Sequence, residues 1–239
     1  MQRDIYRQLF ELEDGHWWFR GRRAVVNALL DRAQLPPGLR ILDAGCGTGR
    51  NMTEYRRRGA VAGIDPSPDA ITFCHARGLT AVAEGRIERL PFEDGAFDLV
   101  TATDVLEHIA DDAAAAQELR RVTHPAGRLL VTVPAYRWLW SNHDESHHHH
   151  RRYTLRGLRA TLAEAGWRPV LRTYYNSALL PPIAMVRAVR RDSQHSDYDV
   201  SSPLLNRALV VPMRAEATLI RAGVRLPFGV SIAMVCAPA

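Results

Sequence analysis

The chain has 239 residues, 46% of them hydrophobic, and a formal net charge of +5 from 31 basic and 26 acidic residues. This size and hydrophobic content predict one folded domain with its own core and exclude a chain that is disordered throughout. All 31 basic residues are arginine, so the chain has no lysine to form a pyridoxal-phosphate Schiff base or to serve as a P-loop lysine.

The cysteines and the distribution of charge limit the cellular compartment and the kinds of partner that can be expected. Cys46, Cys74 and Cys236 form no CxxC pair, so neither a disulfide framework nor a cysteine zinc site is expected, and a cytoplasmic location is predicted. The first twenty residues lack the apolar core of a signal peptide, and no apolar run approaches the ~18 residues of a membrane span. The arginines fall in short clusters rather than in one stripe, so nucleic acid is not predicted as a partner.

From residue 21 to 135, short apolar runs alternate with helical patterns. Near-continuous apolar strands that alternate with helices predict a parallel sheet covered on both faces. The predicted strands are 40–44, 61–65, 81–83, 97–102 and 128–133, and the predicted helices between them are 49–58, 68–77 and 111–122.

After Pro134 the alternation loosens. Residues 136–153 are predicted as a polar, histidine-rich loop, followed by a helix over 154–165 that Gly166 ends. Two more strands are predicted at 167–174 and 230–237. Between them lie two apolar helical segments, 179–191 and 204–222, on either side of a polar stretch, 192–202, that is predicted to be mobile.

The glycine-rich turn after the first strand, Asp43-Ala-Gly-Cys-Gly-Thr-Gly49, carries the strongest functional signal. Gly45 and Gly47 allow positive φ and close approach of a ligand, and the helix beyond Gly49 offers unpaired N–H groups. Asp65, at the end of the second strand, can accept both hydroxyls of a ribose. These features in register predict a nucleoside site, with a ligand-free structural turn as the simpler alternative.

The spacing of the glycines in the turn indicates which class of nucleoside cofactor binds. A dinucleotide fingerprint needs glycine at position 50, where this chain has Arg50, so a nicotinamide dehydrogenase is disfavoured. The segment 40–135 instead resembles the class I S-adenosylmethionine (SAM)-dependent methyltransferases, particularly the branch similar to ubiquinone/menaquinone-type enzymes. The resemblance rests on ILDAGCGTG (41–49), GID (63–65), LPF (90–92), FDLV (97–100), DVLEH (104–108) and PAGRL (125–129).

This resemblance implies SAM as the cofactor, with its ribose held by Asp65 and its adenine flanked by residues near Arg86 and Ile87. Arg86 stands where the family usually has an acid and cannot accept a hydrogen bond. We therefore expect Arg86 to stack on the adenine, Glu84 or Glu88 to replace the acid, or the backbone alone to hold the base. The residues predicted to bind the cofactor are Asp43, Gly45, Cys46, Gly47, Gly49, Asp65, Pro66, Arg86, Ile87, Thr103 and Arg23.

The fold class predicted is α/β: a Rossmann-like, doubly wound, seven-stranded and mostly parallel sheet. The last strand of the sheet is antiparallel to the others. An N-terminal helix precedes the sheet, and a helical insertion comes before the last strand. The whole chain, 1–239, is predicted as one methyltransferase domain. Within it, 1–35 form a helical lid, 36–135 the SAM-binding core, and 136–239 the acceptor-side loop, the insertion and the last strands.

Five of the ten histidines lie between Asn142 and Tyr153. The segment resembles one found in some of these methyltransferases, an HDE stretch followed by a His and Arg-Arg-Tyr, and it lies at the sheet edge where the acceptor must enter. Substrate contact, a metal site and a solvated loop are the alternatives. No metal is predicted, because consecutive loop residues cannot all face one ion and no second ligand cluster is evident.

Two other segments have alternative interpretations. The stretch from His16 to Arg23 is either a hydrophobic staple or a lid, in which tryptophans cover the pocket and Arg22 or Arg23 holds the SAM carboxylate. The insertion 177–222 is a dimer contact or a cover over the sheet, or else an apolar acceptor pocket or a peripheral membrane contact. An acceptor pocket or a membrane contact would be helped by Arg187, Arg190 and Arg191. A monomer and a homodimer both remain open.

We therefore predict a SAM-dependent methyltransferase that moves a methyl group to an O, N or C atom of a small-molecule acceptor by in-line displacement. The candidate general bases are His143, His149 and His16, since imidazole titrates near neutral pH. Acceptor contacts are predicted for Trp17, Trp18, His108, Tyr136 and Tyr153, with packing on the core as the alternative for His108. A natural-product scaffold, a sugar, a quinone-like ring and a lipid-linked molecule all remain open as acceptors. A SAM-using enzyme of non-methylating chemistry (cyclisation or aminopropyl transfer) and a non-catalytic SAM-binding subunit are the alternative functions.

Overall fold

The computed structural model describes residues 3–189 and 202–239. Within these ranges a seven-stranded sheet is formed by β1 (Leu39–Ala44), β2 (Gly59–Asp65), β3 (Val82–Glu84), β4 (Phe97–Thr103), β5 (Thr123–Pro134), β6 (Trp167–Tyr175) and β7 (Ser231–Pro238). The helices are α1 (Arg3–Leu12), α2 (Trp17–Arg32), α3 (Arg50–Tyr55), α4 (Pro68–Ala76), α5 (Asp112–Val122), α6 (Asn142–Ser146), α7 (Leu155–Glu164), α8 (Leu180–Val189) and α9 (Pro203–Arg221).

The strand order is β3-β2-β1-β4-β5-β7-β6. The first five strands pair in parallel, and β7 lies antiparallel between β5 and β6. The predicted seven-stranded sheet with an antiparallel last strand is thereby confirmed. The order reverses between β1 and β4, which in a doubly wound sheet opens a crevice at the carboxyl ends of the strands.

Both faces of the sheet are covered because its central strands are apolar on both sides. Leu119 of α5, Leu158 of α7 and Trp167 belong to the core on one face. Leu29 of α2 and Met213 of α9 belong to the core on the other face, so α9 of the insertion forms a cover over the sheet together with α2.

The structure departs from the sequence prediction in several places, and β5 begins at Thr123, five residues before the predicted strand. The N-terminal segment forms two helices, α1 and α2, rather than one. The α3 helix ends at Tyr55, earlier than the predicted residue 58. The predicted loop 136–153 contains α6, because the Ser141 hydroxyl and the Asp144 carboxylate form a reciprocal capping box.

Most of the stretch predicted to be mobile, together with Arg190 and Arg191, lies outside the described residues. Among the helices within them, none combines the length and the apolar character required to cross a bilayer.

Candidate active site

A cavity of about 760 Å³ opens at the carboxyl ends of β1, β2 and β4. Its volume is in the range of small-molecule sites, about 300–1,000 Å³. One end is formed by the glycine turn and Asp65, and the other by the segment 141–150 that contains α6. Helices α1, α2 and α8 contribute the remaining walls.

The glycine turn adopts the backbone that its sequence predicts. Gly45, Gly47 and Gly49 have φ of 75°, 54° and 79°, in the left-handed region. The amides of Gly45 and Cys46 donate to the Ile64 carbonyl at 2.8 and 3.0 Å, which fastens the turn to the end of β2. A Cβ on Gly47 would have no atom within 4 Å, whereas one on Gly49 would lie 2.3 Å from Leu79. Gly47 is therefore open to the cavity and Gly49 is packed on the core.

Asp65 is a buried hydrogen-bond acceptor at the end of β2. Its carboxylate accepts from the Gly47 amide, the Ser67 amide and the Tyr6 hydroxyl, each at 3.0 Å. Burial raises the pKa of Asp65, and the three donors counteract that rise. These donors fix the carboxylate in the cavity wall before any ligand arrives.

Helix α1 lies across this end of the cavity. The Arg77 guanidinium donates to the Thr48 carbonyl at 3.0 Å and to Glu13 at 3.2 Å, and it stacks over the Phe10 ring at 4.3 Å. The Thr48 hydroxyl also donates to Glu13. Sequence analysis missed Tyr6 on α1, Glu13 just after it and Arg77 at the end of α4, because charged helices and their ends give no signal of what they cover.

Asp104 follows β4 and is held from two sides. The Arg22 guanidinium donates to one carboxylate oxygen at 2.5 Å, and the Thr132 hydroxyl donates to the other at 2.7 Å. Thr103 beside it accepts from the Asn51 amide group at 3.0 Å. Of the two arginines considered for the SAM carboxylate, Arg22 lines the cavity and Arg23 does not.

Asp43 supports the glycine turn from below. It is fully buried, accepts from the Thr101 hydroxyl at 2.7 Å and does not line the cavity. Burial raises its pKa to about 7.

At the other end of the cavity, a second buried carboxylate organises the histidine segment. Asp144 accepts from His149 Nδ1 at 2.8 Å and from two guanidinium nitrogens of Arg152 at 2.7 and 2.9 Å. Burial opposes ionisation of Asp144, but the hydrogen bonds from His149 and Arg152 outweigh burial and hold its pKa well below its usual range. Because a carboxylate only accepts, His149 Nδ1 carries the hydrogen of this bond, so the tautomer with a single N–H has its lone pair on Nε2.

Glu107 and His108, which follow β4, lie next to His149. His108 Nδ1 donates to the His147 carbonyl at 2.9 Å, and the His108 ring lies edge to face with His149 at 4.6 Å between centroids. Burial and the neighbouring His149 lower the pKa of His108 to about 4, so its ring is neutral at pH 7. Glu107 is 1% exposed, and burial raises the pKa of its carboxyl.

The predicted aromatic residues divide between the cavity and the core. His16 caps α2 by accepting from the Trp18 amide at 3.3 Å, and Trp18 stacks on Tyr175 at 6.0 Å. Tyr153 is buried, and its hydroxyl donates to Asp112 at 2.5 Å. Tyr136 stacks on Tyr174 at 5.4 Å between ring centroids, and neither Tyr136 nor Tyr153 is among the residues that line the cavity.

The cavity brings together most of the predicted site residues. Those that line it are His16, Trp17, Trp18, Gly45, Cys46, Gly47, Asp65, Pro66, Arg86, Ile87, Thr103, His108, His143 and His149. Those that do not are Arg23, Asp43, Gly49, Tyr136 and Tyr153. Glu88 also lines the cavity and accepts from Arg86 at 3.1 Å, so a carboxylate is present where the adenine is expected.

Comparison with known proteins identifies the domain. Residues 42–131 match the family model described as a methyltransferase domain. Residues 42–131 form a methyltransferase domain. This confirms the resemblance stated from the sequence motifs, and SAM is the cofactor of such a domain.

Curated relatives align with this methyltransferase domain over part of their length. The chain is 36% identical over 129 residues to a demethylmenaquinone methyltransferase of Mycobacterium marinum, which covers 54% of this chain and 52% of that protein. It is 38% identical over 120 residues to an uncharacterized 37.1 kDa protein in transposon TN4556 of Streptomyces fradiae, covering 47% and 35%. The chain thus spans about half or less of the length of these relatives.

Solved structures share the fold at lower identity. A SAM-dependent methyltransferase from Thermotoga maritima superposes with a TM-score of 0.62 at 18% identity, covering 100% of both chains. A Haloferax volcanii protein, solved in complex with the Trm112 methyltransferase activator, gives 0.63 at 19%, covering 99% of this chain and 93% of that one. The cyclase SpnF gives 0.56 at 22%, covering 89% and 80%, so this fold alone does not fix the reaction.

Alanine at the two glycines should separate ligand binding from stability. Gly47→Ala places a methyl group in the open cavity, so we expect at least tenfold weaker SAM binding with a loss of stability of about 1 kcal/mol from the positive φ. Gly49→Ala adds a clash with Leu79 and should cost about 2–4 kcal/mol. Calorimetry with SAM and urea unfolding measure the two effects, and equal stability losses in both variants would contradict the assignment.

Asp43 should make stability depend on pH. Its folded pKa of about 7 lies above its unfolded value of 3.8, so the free energy of unfolding falls as pH rises from 4 to 7 and the buried group loses its proton. We expect Asp43→Asn to lack this loss and to gain roughly 2–4 kcal/mol relative to the parent over that range. Urea unfolding at pH 4, 5.5 and 7 measures it. Asp98→Asn is the control, and we expect it to lower the free energy of unfolding at pH 7, the opposite of Asp43→Asn. The reason is that hydrogen bonds from Arg40 lower the pKa of Asp98.

Proposed function

We propose that this protein transfers the methyl group of SAM to a nucleophilic atom of a small-molecule acceptor. One observation carries the proposal. The nucleoside turn with Asp65 and the histidine segment line the same cavity, and they follow strands at different places in the sheet, β1 and β2 for the first and β5 for the second. A cofactor held at the first wall presents its reactive end toward a molecule held at the second, which is the alignment that in-line displacement requires.

The hydrogen bonds of Asp65 explain how the cofactor end would work. A carboxylate offers about four lone-pair positions, and the Gly47 and Ser67 amides use two of them. Two ribose hydroxyls would use the other two, so the Tyr6 hydroxyl must leave when the nucleoside binds. We therefore propose that α1 acts as a lid, moving away for SAM entry and closing through Arg77 and Glu13.

The acceptor end would activate the nucleophile. The sulfonium of SAM already makes the methyl group electrophilic, so the protein contributes alignment, exclusion of water and removal of the acceptor proton. Among the candidate bases His143, His149 and His16, we favour His149, because its Nδ1 is hydrogen-bonded to the buried carboxylate of Asp144. We propose that the acceptor atom lies against His149, with Trp17 and Trp18 as further wall contacts.

The cofactor site is tested with Asp65. Loss of its charge should weaken SAM binding tenfold to a hundredfold, since a hydrogen bond to a charged group contributes about 1.5–3 kcal/mol. We expect this for Asp65→Asn by calorimetry, with unchanged affinity for Asp98→Asn at the opposite sheet edge. Turnover should yield S-adenosylhomocysteine. Methylthioadenosine as the by-product would indicate the non-methylating alternative, and SAM binding without either product would indicate a non-catalytic subunit.

The acceptor end is tested with His149. A panel of a reduced quinone, a phenol, a primary amine and a sugar is assayed for S-adenosylhomocysteine formation. With the acceptor that gives turnover, we expect His149→Asn to lower kcat about a hundredfold or more while the KM for SAM stays within twofold. The exposed His75 on α4 provides the matched control, His75→Asn. An unchanged kcat in His149→Asn would remove His149 from the mechanism.

A further inference from the structure

Three side chains from two distant segments converge at the acceptor end of the cavity. Glu107 and His108 follow β4, and His149 follows α6. One ligand-type atom from each lies within 4.8 Å of the other two. An ion with bonds of about 2.1 Å needs such atoms about 3.4 Å apart, which small side-chain rotations supply.

The two imidazoles are oriented as metal ligands are. His108 donates from Nδ1 to the His147 carbonyl, and His149 donates from Nδ1 to the buried Asp144. Both hydrogen bonds place the lone pair on Nε2. Ligating histidines in proteins characteristically donate their other N–H to a backbone carbonyl or a carboxylate, and both kinds of partner are present here.

Glu107 supplies the third ligand, and one of its two carboxylate oxygens lacks a hydrogen-bond partner among the described residues. It is 1% exposed and lines the cavity. Across residues 3–189 and 202–239, its Oε2 has no hydrogen-bond partner. A buried carboxylate oxygen without a donor is costly, and a bound cation would satisfy it.

We infer that Glu107, His108 and His149 bind one divalent transition-metal ion, whose open coordination position faces the cavity. Zn²⁺ is the ion used to test this. Two histidines and a carboxylate with an open position form a common catalytic donor set. The sequence analysis predicted no metal because it sought ligands within the histidine run, whereas two of the three come from residues 107 and 108.

This inference rests on the proposed function and narrows its acceptor to a hydroxyl compound. An alcohol, enol or phenol oxygen at the open position would lose its proton to solvent more readily, because the cation stabilises the oxyanion. The oxygen lone pair then bonds to the methyl carbon, and the electrons of the broken S–C bond remain on sulfur. SAM and the acceptor give S-adenosylhomocysteine, the methyl ether and one proton. His149 would then hold the ion through Nε2 instead of accepting the proton itself, so this inference replaces the base role proposed for His149 above.

The test is calorimetric titration of Zn²⁺ into the full chain after treatment with EDTA and dialysis. We expect one ion per chain and at least tenfold weaker binding in Glu107→Gln, which keeps the side-chain shape but removes the charge. The exposed His148 and His150 can bind Zn²⁺ adventitiously, so the matched control is the double variant His148→Gln/His150→Gln, which should retain the affinity. Loss of binding in the double variant with retention in Glu107→Gln would overturn the inference.

Two further measurements keep the inference falsifiable if Glu107→Gln does not fold. Co²⁺ added to the parent chain should give the visible absorption of a four- or five-coordinate ion, displaced by Zn²⁺. A spectrum of hydrated Co²⁺ alone would overturn the inference. Calorimetry with SAM on the EDTA-treated protein separates the two proposals. SAM binding without Zn²⁺ binding overturns the metal site alone, and Zn²⁺ binding without SAM binding overturns the proposed function.

Discussion

A buried carboxylate must be hydrogen-bonded or paired, and this constraint organises both ends of the cavity. At one end, Asp65 is held by two backbone amides and Tyr6, which ties together the glycine turn, the start of α4 and α1. At the other end, Asp144 caps α6 and accepts from His149 and Arg152. Each carboxylate thus converts a loop at the sheet edge into a fixed surface, because its donors come from separate segments.

Helix α1, which covers one end of the cavity, is also held mainly by a few polar contacts. Arg77 connects α1 to the glycine turn through a carbonyl, a carboxylate and an aromatic ring, all polar or stacking contacts rather than an extended apolar interface. Such contacts can be exchanged for contacts with a ligand more readily than a packed core can be opened. The apolar pair of α2 and α9, by contrast, belongs to the core beneath the sheet and provides a rigid base. The position of α1 is therefore suited to a part that moves, and that of α2 to a part that does not.

The family match and the cavity do not cover the same residues. The matched segment, 42–131, contains the glycine turn, Asp65 and the end of β4, together with Glu107 and His108. The helices that cover the cavity and the histidine segment around His149 lie outside it. Function depends on the residues of a site and not on the fold that carries them, so relatives that share only the matched core do not transfer their acceptor to this chain. The acceptor must be argued from residues such as His149 and Asp144.

The sequence by itself determined the sheet, the glycine turn and the position of Asp65. These depend on local patterns: apolar runs that bury strands, glycines that permit positive φ, and an acid at a fixed distance along the chain. Only the tertiary structure decided that Tyr6 reaches Asp65 across 59 residues, that Tyr153 bonds with Asp112 in the core rather than facing a ligand, and that Glu107 meets His149. The reason is physical. A contact between distant segments depends on how helices pack on the finished sheet, and no local pattern of residues records that packing.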